Sequence, residues 1–288
     1  MKQLTLWLEA TRPKTLVLSI APVLIGTSYG YYKGSFNLLT FFVTLLSSLL
    51  IQIGTNLAND YFDFLKGADT SERTGPRRMT QSGLISVAHM KLATFLTFSV
   101  VALLSIYMTS IGGPIFTLLS AIAIACGILY TGGPKPLGYL GLGEFFVLVF
   151  FGPVGAAGAA YLQTLSFSWE AVILGLTPGF LSSAVLIINN YRDIEQDRKA
   201  NKKTLAVRFG PLFSKIEYTS FILLGCLLPL AYGWWLSAFA LIPAFIPIKA
   251  LWRGSGRDSE LPPIFAQTAQ ICLLASALLA FGLIAYAV

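Results

Sequence analysis

The sequence predicts an all-α protein that crosses a membrane repeatedly: nine transmembrane helices bundled into a single domain over residues 1–288. Three observations lead there. More than half of the residues are apolar and only 11% are charged, with a mean hydropathy of +0.72, values outside the range of a soluble domain of this length. The apolar residues fall into blocks of roughly 18 to 22, the helix length that a hydrocarbon core about 30 Å thick demands. The lysines and arginines alternate between the connecting loops as a membrane topology requires.

The blocks cover 15–32, 38–59, 92–112, 113–131, 144–164, 170–191, 214–235, 236–252 and 267–288. Residues 1–14 read as an interfacial lead-in with Trp7 at headgroup level. Its basic flank resembles a signal peptide, but no small-residue cleavage site follows, so the first block is expected to be retained. The pairs within 92–131 and 214–252 are separated only by Gly112-Gly113-Pro114 and Gly233-Trp234-Trp235. With nine spans, every lysine and arginine except Lys33 falls on one side. That side is assigned to the cytoplasm, with the carboxyl terminus outside, in a cell (inner) membrane. The net charge of +7 is then mostly topology and does not call for nucleic acid. Cys126, Cys226 and Cys272 lie in apolar runs without paired spacing, which suits neither disulfides nor a thiolate metal site.

The second block delivers N-L-A-N-D-Y-F-D-F-L-K-G-A-D, residues 56–69. If the helix continues to Asp63, then Asn56, Asp60 and Asp63 lie within roughly 60° of one another, three oxygen ligands on one face. Carboxylates this close repel unless a cation sits between them, and an asparagine inside the membrane boundary is costly without a role. Asp69 comes after Gly67, off that face, and Glu72 reads as a loop-surface residue. In R-T-G-P-R-R-M-T, Arg77 and Arg78 are either cytoplasmic anchors or, beside carboxylates, partners for a phosphate. The sixth block ends in N-N-Y-R-D-I-E-Q-D-R-K-A-N-K-K-T. Here Asn189, Asp193 and Asp197 stand at i, i+4 and i+8, an arc of about 80°, with Glu195 well off it.

Between the fourth and fifth blocks, Y-T-G-G-P-K-P-L-G-Y-L-G-L-G-E is turn-forming. Its Lys135 is either a topological lysine or a further phosphate contact, and Glu144 either caps the next helix or faces the cavity. Gly152, Gly155 and Gly158 either let helices approach closely or leave room for a chain-like ligand. His89, the only histidine, reads as a capping or surface residue. P-loop, HExxH and CxxC patterns are absent from the sequence.

Two sets of oxygen ligands, each followed by basic residues, suit Mg²⁺ carried in with a phosphorylated substrate, because Mg²⁺ takes oxygen ligands and shares a few carboxylates with phosphate. Metals and cations would neutralise charge developing on a diphosphate leaving group, and an apolar bundle would take a hydrocarbon tail. That combination is membrane-embedded prenyl transfer. A cation-coupled transporter is the alternative from another class, disfavoured because both acidic sets lie at the membrane edge and not at its middle.

N-D-Y-F-D and D-I-E-Q-D resemble the two Asp-rich motifs of the UbiA superfamily of intramembrane aromatic prenyltransferases, and the resemblance covers nearly the whole chain. R-P-K-T-L near Arg12, R-T-G-P-R-R-M-T-Q-S-G-L-I-S, Y-T-G-G-P and K-T-L-A-V-R-F-G are most similar to its 1,4-dihydroxy-2-naphthoate (MenA-like) branch. One departure is A-N-K-K-T, where members commonly show Gly in place of Asn201. The resemblance implies a nine-helix bundle, Mg²⁺ dependence, a polyprenyl or phytyl diphosphate donor, and a dihydroxynaphthoate acceptor that loses CO₂ on prenylation. A sibling activity on 4-hydroxybenzoate or homogentisate is the alternative within the superfamily. Carried onto this chain, Asn56, Asp60 and Asp63 hold one Mg²⁺, and Asn189, Asp193 and Asp197 the other. Asp60, Asp63, Asp193 and Asp197 are thus the catalytic carboxylates. Arg77, Arg78, Lys135 and Lys202 or Lys203 contact diphosphate, Tyr130 and Tyr191 stabilise the allylic cation by their rings, and Arg12 or Lys14 receives the acceptor carboxylate.

Overall fold

The computed structural model describes residues 2–67, 77–254 and 261–287. Asp69, Glu72, Arg73 and Arg257 lie outside the described residues, so the readings made for them rest on sequence alone. The described residues are helical, without a strand. Helix α1 (Lys2–Thr11) exposes Leu4 and Leu8 but turns Leu6, Trp7 and Ala10 onto Leu57, Met79 and Met90, the two-faced pattern of an interfacial helix. It ends where Arg12 adopts a left-handed conformation (φ 52°) and Pro13 opens α2 (Pro13–Tyr32), a first helical position at which proline forfeits no hydrogen bond.

Side-chain caps start the next helices, each satisfying an orphan N–H at the helix entrance. Asn37 receives Thr40 N–H at α3 (Leu38–Leu65), and Ser86 receives His89 N–H at α4 (Val87–Gly112), which leaves His89 beside the cap as expected. Gly113 (φ 84°) and Pro114 then separate α4 from α5 (Ile115–Leu129). The fifth block is broken: α6 (Gly143–Val149) passes through a π turn (Phe150–Val154) with Gly152 out of helical geometry, and Pro153 leads into α7 (Gly155–Thr164). Ser168 caps α8 (Trp169–Arg192), and Thr204 caps α10 (Leu205–Leu227) beyond the short α9 (Ile194–Lys199). Two 3₁₀ turns, Leu228–Tyr232 and Leu236–Ala240, lead to α11 (Leu241–Arg253), and α12 (Leu261–Tyr286) completes the bundle.

Seven of these stretches are long and apolar enough to span a membrane: α3, α4, α6–α7, α8, α10 with its 3₁₀ turn, α11 with its own, and α12. The expected nine spans include two that fall short of that measure. Helix α5 has 15 residues, about 22 Å of rise, and α2 ends in the polar run Thr27 to Tyr32. Other boundaries moved too: α4 begins at Val87 and not at 92, and α10 at Leu205 and not at 214, because Ser86 and Thr204 cap them there.

Helix α8 is the axis, its spanning window 72% buried against 17% for α3. Leu181, Ile187 and Ile188 pack with Tyr218 and Ile222 of α10 and Ile264 of α12. The break at Gly152 lets α6–α7 meet α8 backbone to backbone: a Cβ there would stand 2.8 Å from the Gly179 Cα. Gly155 likewise abuts Pro22, whereas Gly158 has only a distant neighbour, so close approach accounts for the first two glycines. Phe95 and Leu103 of α4 and Ile242 and Phe245 of α11 face outward almost bare, which in a chain this apolar is the lipid surface.

Candidate functional site

Helix α3 runs past residue 59 to Leu65, which carries the first acidic motif on helix to its last turns. Asp63 is 2% exposed and its oxygens are crowded with donors. Arg78 Nη2 donates to Oδ2 at 2.8 Å, the Tyr139 hydroxyl to Oδ1 at 3.0 Å, and Lys202 Nζ stands 4.0 Å from Oδ1. The second motif does not lie on one continuous helix, a correction to the wheel drawn from sequence. The chain bends at Asp193 (φ −93°, ψ 9°), between α8 and α9. The bonds Asp193 N–H to Asn189 O and Asp197 N–H to Asp193 O persist across the bend, so the motif is turned without being unwound. Lys202 Nζ is also 3.4 Å from Asp197 Oδ1, so this one ammonium reaches both motifs. Asp193 is gripped by the Arg192 guanidinium at 2.7 and 2.8 Å, and the same guanidinium donates to Asn189 Oδ1.

The loop between α5 and α6 closes the site. The Tyr139 ring takes Lys66 Nζ and Lys202 Nζ, each 4.9 Å from its centre, while its carbonyl accepts Lys203 N–H at 2.8 Å. Lys66 donates to the carbonyls of Thr131 and Gly133. Burial pushes its ammonium below the usual lysine value, with Asp63 opposing the shift and Lys202 adding to it. Asn59, one turn before Asp63, accepts from the Thr131 hydroxyl at 2.9 Å. Asn201 has φ 55°, the left-handed region that glycine occupies freely and asparagine tolerates best among the other residues. The departure A-N-K-K-T therefore preserves the turn that presents Lys202.

Several residues expected in the site are placed otherwise. Asn56 donates to the Thr11 carbonyl and the Thr15 hydroxyl, tying α3 to the α1–α2 corner. Both Asp60 oxygens accept backbone N–H bonds, from Met79 and Thr80 at 2.9 Å, so this carboxylate shapes the loop that carries Arg78. Arg77, Lys135 and the Lys203 side chain are exposed. Arg12 is half-buried at the α1–α2 corner near Asn56, and Lys14 is exposed beside it. Tyr191 packs against the central apolar cluster, whereas Tyr130 stands within electrostatic reach of Glu144, Asp197 and Asp63. Sequence reasoning gave no site role to Asn59, Lys66, Tyr139 or Arg192, and left Glu144 open between capping α6 and facing the cavity. Asn59 and Lys66 sit in the motif itself, Asn59 at i−4 from Asp63, a signal that was available; Tyr139 is one aromatic in a turn-forming stretch and had none.

The donors present fit Mg²⁺. Among the described residues no three Asp, Glu, His or Cys side chains form a ready-made metal cluster. Mg²⁺ instead typically uses one or two carboxylates and completes its shell with water and substrate phosphate, and Asp63, Asp197 and Asp193 offer hard oxygen ligands whose charge is balanced by Lys202, Arg78 and Arg192.

The chain is thus an all-helical multi-pass membrane bundle in which Lys202 brings the two acidic motifs together. Residues 19–266 match the UbiA prenyltransferase family, and the chain belongs to it. It is 40% identical to a 1,4-dihydroxy-2-naphthoate octaprenyltransferase of Haemophilus influenzae, over 98% of this chain and 97% of that protein. It is 34% identical to the Mycobacterium tuberculosis protein of the same name, over 97% of each. Among solved structures, a UbiA homolog from Archaeoglobus fulgidus bound to GPP and Mg²⁺ superposes with a TM-score of 0.69 at 19% identity, over 97% of this chain and 99% of that one, a likeness of fold.

Proposed function

We propose that this chain acts as one integral-membrane domain that transfers a polyprenyl group from its diphosphate to 1,4-dihydroxy-2-naphthoate, with loss of CO₂ and diphosphate, on the path to menaquinone. Relatives that bear this activity in their names align with it almost end to end. The observation that carries the reading is Lys202 standing between Asp63 and Asp197, because one shared cation makes the two motifs a single site for one charged ligand.

In this reading Asp63 and Asp197, with Asp193 and the amides of Asn59 and Asn189, hold Mg²⁺. The metal supplies charge neutralisation for the departing diphosphate. Arg78 and Tyr139 orient the Asp63 carboxylate, and Asp60 sets the loop from which Arg78 reaches it. Lys202, Lys66 and Arg192 contribute positive charge where the C–O bond breaks, with Arg77, Lys135 and Lys203 as exposed cations that attract the donor. The Tyr130 ring faces the allylic cation, and Arg12 or Lys14 receives the acceptor carboxylate. The acidic end of the bundle faces the cytoplasm of a cell membrane, in keeping with the basic residues gathered there.

Purified protein in lipid nanodiscs, given Mg²⁺, a polyprenyl diphosphate and carboxyl-labelled dihydroxynaphthoate, should release labelled CO₂ in step with diphosphate. Faster prenylation of 4-hydroxybenzoate would remove the naphthoate assignment and leave the family.

A further inference from the structure

Glu144 opens α6 and is 4% exposed. Its Oε1 accepts Asn190 Nδ2 at 2.7 Å, and its backbone carbonyl accepts the Ser183 hydroxyl at 3.1 Å, both from α8. Its Oε2 has no hydrogen-bond partner. A carboxylate oxygen held away from water without a donor is costly, and an orphan of this kind marks a place for a ligand group. The surroundings put that place in the site. Tyr130 lies within electrostatic reach of Glu144, Asp197 and Asp63 together, and a Cβ on Gly143 would stand 2.8 Å from the Tyr130 hydroxyl. Glu217 of α10 is a further acid within electrostatic reach.

We propose that Glu144 Oε2 accepts a hydrogen bond from a ring hydroxyl of the acceptor, with Asn190 as the positioning residue that holds the carboxylate in register. This rests on the functional reading above and adds a residue that selects the acceptor. The parts of the two substrates differ sharply in what they can offer a carboxylate. The diphosphate is anionic and is repelled; the polyprenyl tail has no donor; the acceptor's own carboxylate is again an acceptor. Its two hydroxyls alone donate. A hydrogen bond there also draws electron density into the ring that attacks the allylic carbon.

The test reads binding, so that ring reactivity does not enter. Competitive inhibition constants of 1-hydroxy-2-naphthoate and 4-hydroxy-2-naphthoate, each lacking one hydroxyl, are compared with the acceptor KM in wild type, Glu144→Ala, Glu144→Gln and Asn190→Ala. In wild type, removing one particular hydroxyl should weaken binding about 10- to 100-fold, the range of a charge-assisted hydrogen bond. Glu144→Ala should weaken the full acceptor by the same factor and be indifferent to that hydroxyl, with donor KM, the Mg²⁺ concentration for half-maximal rate and melting temperature unchanged. Asn190→Ala should show a partial version. Independent, multiplying losses, or a shift in donor KM or Mg²⁺ requirement, would overturn the proposal. The ligand-side deletion does so even if the variants unfold: if neither hydroxyl contributes to binding in wild type, the proposal is wrong. Failure of wild type to turn over dihydroxynaphthoate at all would instead strike the functional reading.

Discussion

Asp63 and Asp197, from motifs in opposite halves of the chain, are joined through one ammonium, Lys202 Nζ, at 4.0 and 3.4 Å. Its neighbour Lys203 is exposed and meets the site only through its backbone N–H on the Tyr139 carbonyl. The two lysines therefore separate cleanly. Lys202→Ala should lower kcat/KM for the donor by about 2 kcal/mol of transition-state stabilisation, roughly 30-fold. Lys203→Ala should stay within about twofold, since an exposed cation contributes little. Steady-state kinetics on both variants checks this, and equal losses would mean that placement in the site does not distinguish the two cations.

Arg78 and Arg77 divide in the same way. Arg78 is 5% exposed on a 2% exposed Asp63, and deleting one partner of such a pair leaves a buried charge unmatched, at a cost of about 3–5 kcal/mol. Arg78→Ala should lower the melting temperature in detergent and abolish turnover. Arg77→Ala should melt as wild type does and change only the donor KM.

Asp60 and Asp63 lie within one turn of α3 yet predict different phenotypes. Asp63→Asn should eliminate turnover and, by leaving the buried Arg78 guanidinium without its counter-charge, lower the melting temperature as Arg78→Ala does. Asp60→Ala removes the acceptor for two N–H groups and should loosen the Met79–Thr80 loop. Faster amide exchange across residues 77–85 would report that loosening, together with lost activity. Unchanged exchange in an inactive Asp60→Ala variant would place Asp60 on the metal directly.

At Asn201 the left-handed backbone sets the expectation. Asn201→Gly should be neutral in stability and activity, whereas Asn201→Ala should cost about 1–2 kcal/mol through strain at φ 55°. Activity should fall with it, because the same turn delivers Lys202. Thermal melts and donor kinetics of the pair check both halves.

Much of this was legible in the sequence, and the residues show why the rest was not. Apolar run length and the loop lysines marked most of the spans, and Asp63, Asp193, Asp197 and Lys202 stood out as charge at the end of apolar helices. A helical wheel, however, phases residues about their own axis and is silent on what lies opposite. Asn56 and Asp60 share a face with Asp63, but α1 and the Met79–Thr80 loop lie against them and take their hydrogen bonds. Tyr139 works by sitting between Lys66 and Lys202, a relationship between three loops that no local pattern records. The π turn at Gly152 likewise comes from α8 needing backbone contact, a tertiary demand.

Whether the two acidic motifs form one Mg²⁺-dependent diphosphate site is decided by a double-mutant cycle on binding. Donor affinity is measured by titrating a prenyl diphosphate onto wild type, Asp63→Asn, Asp197→Asn and the double variant, each with Mg²⁺ and after its removal by EDTA. Wild type should lose its affinity with EDTA, and each single variant should lose nearly as much as the double, since residues serving one ligand are not additive. Full affinity in either single variant with Mg²⁺ present, or losses that simply multiply, would contradict the single site.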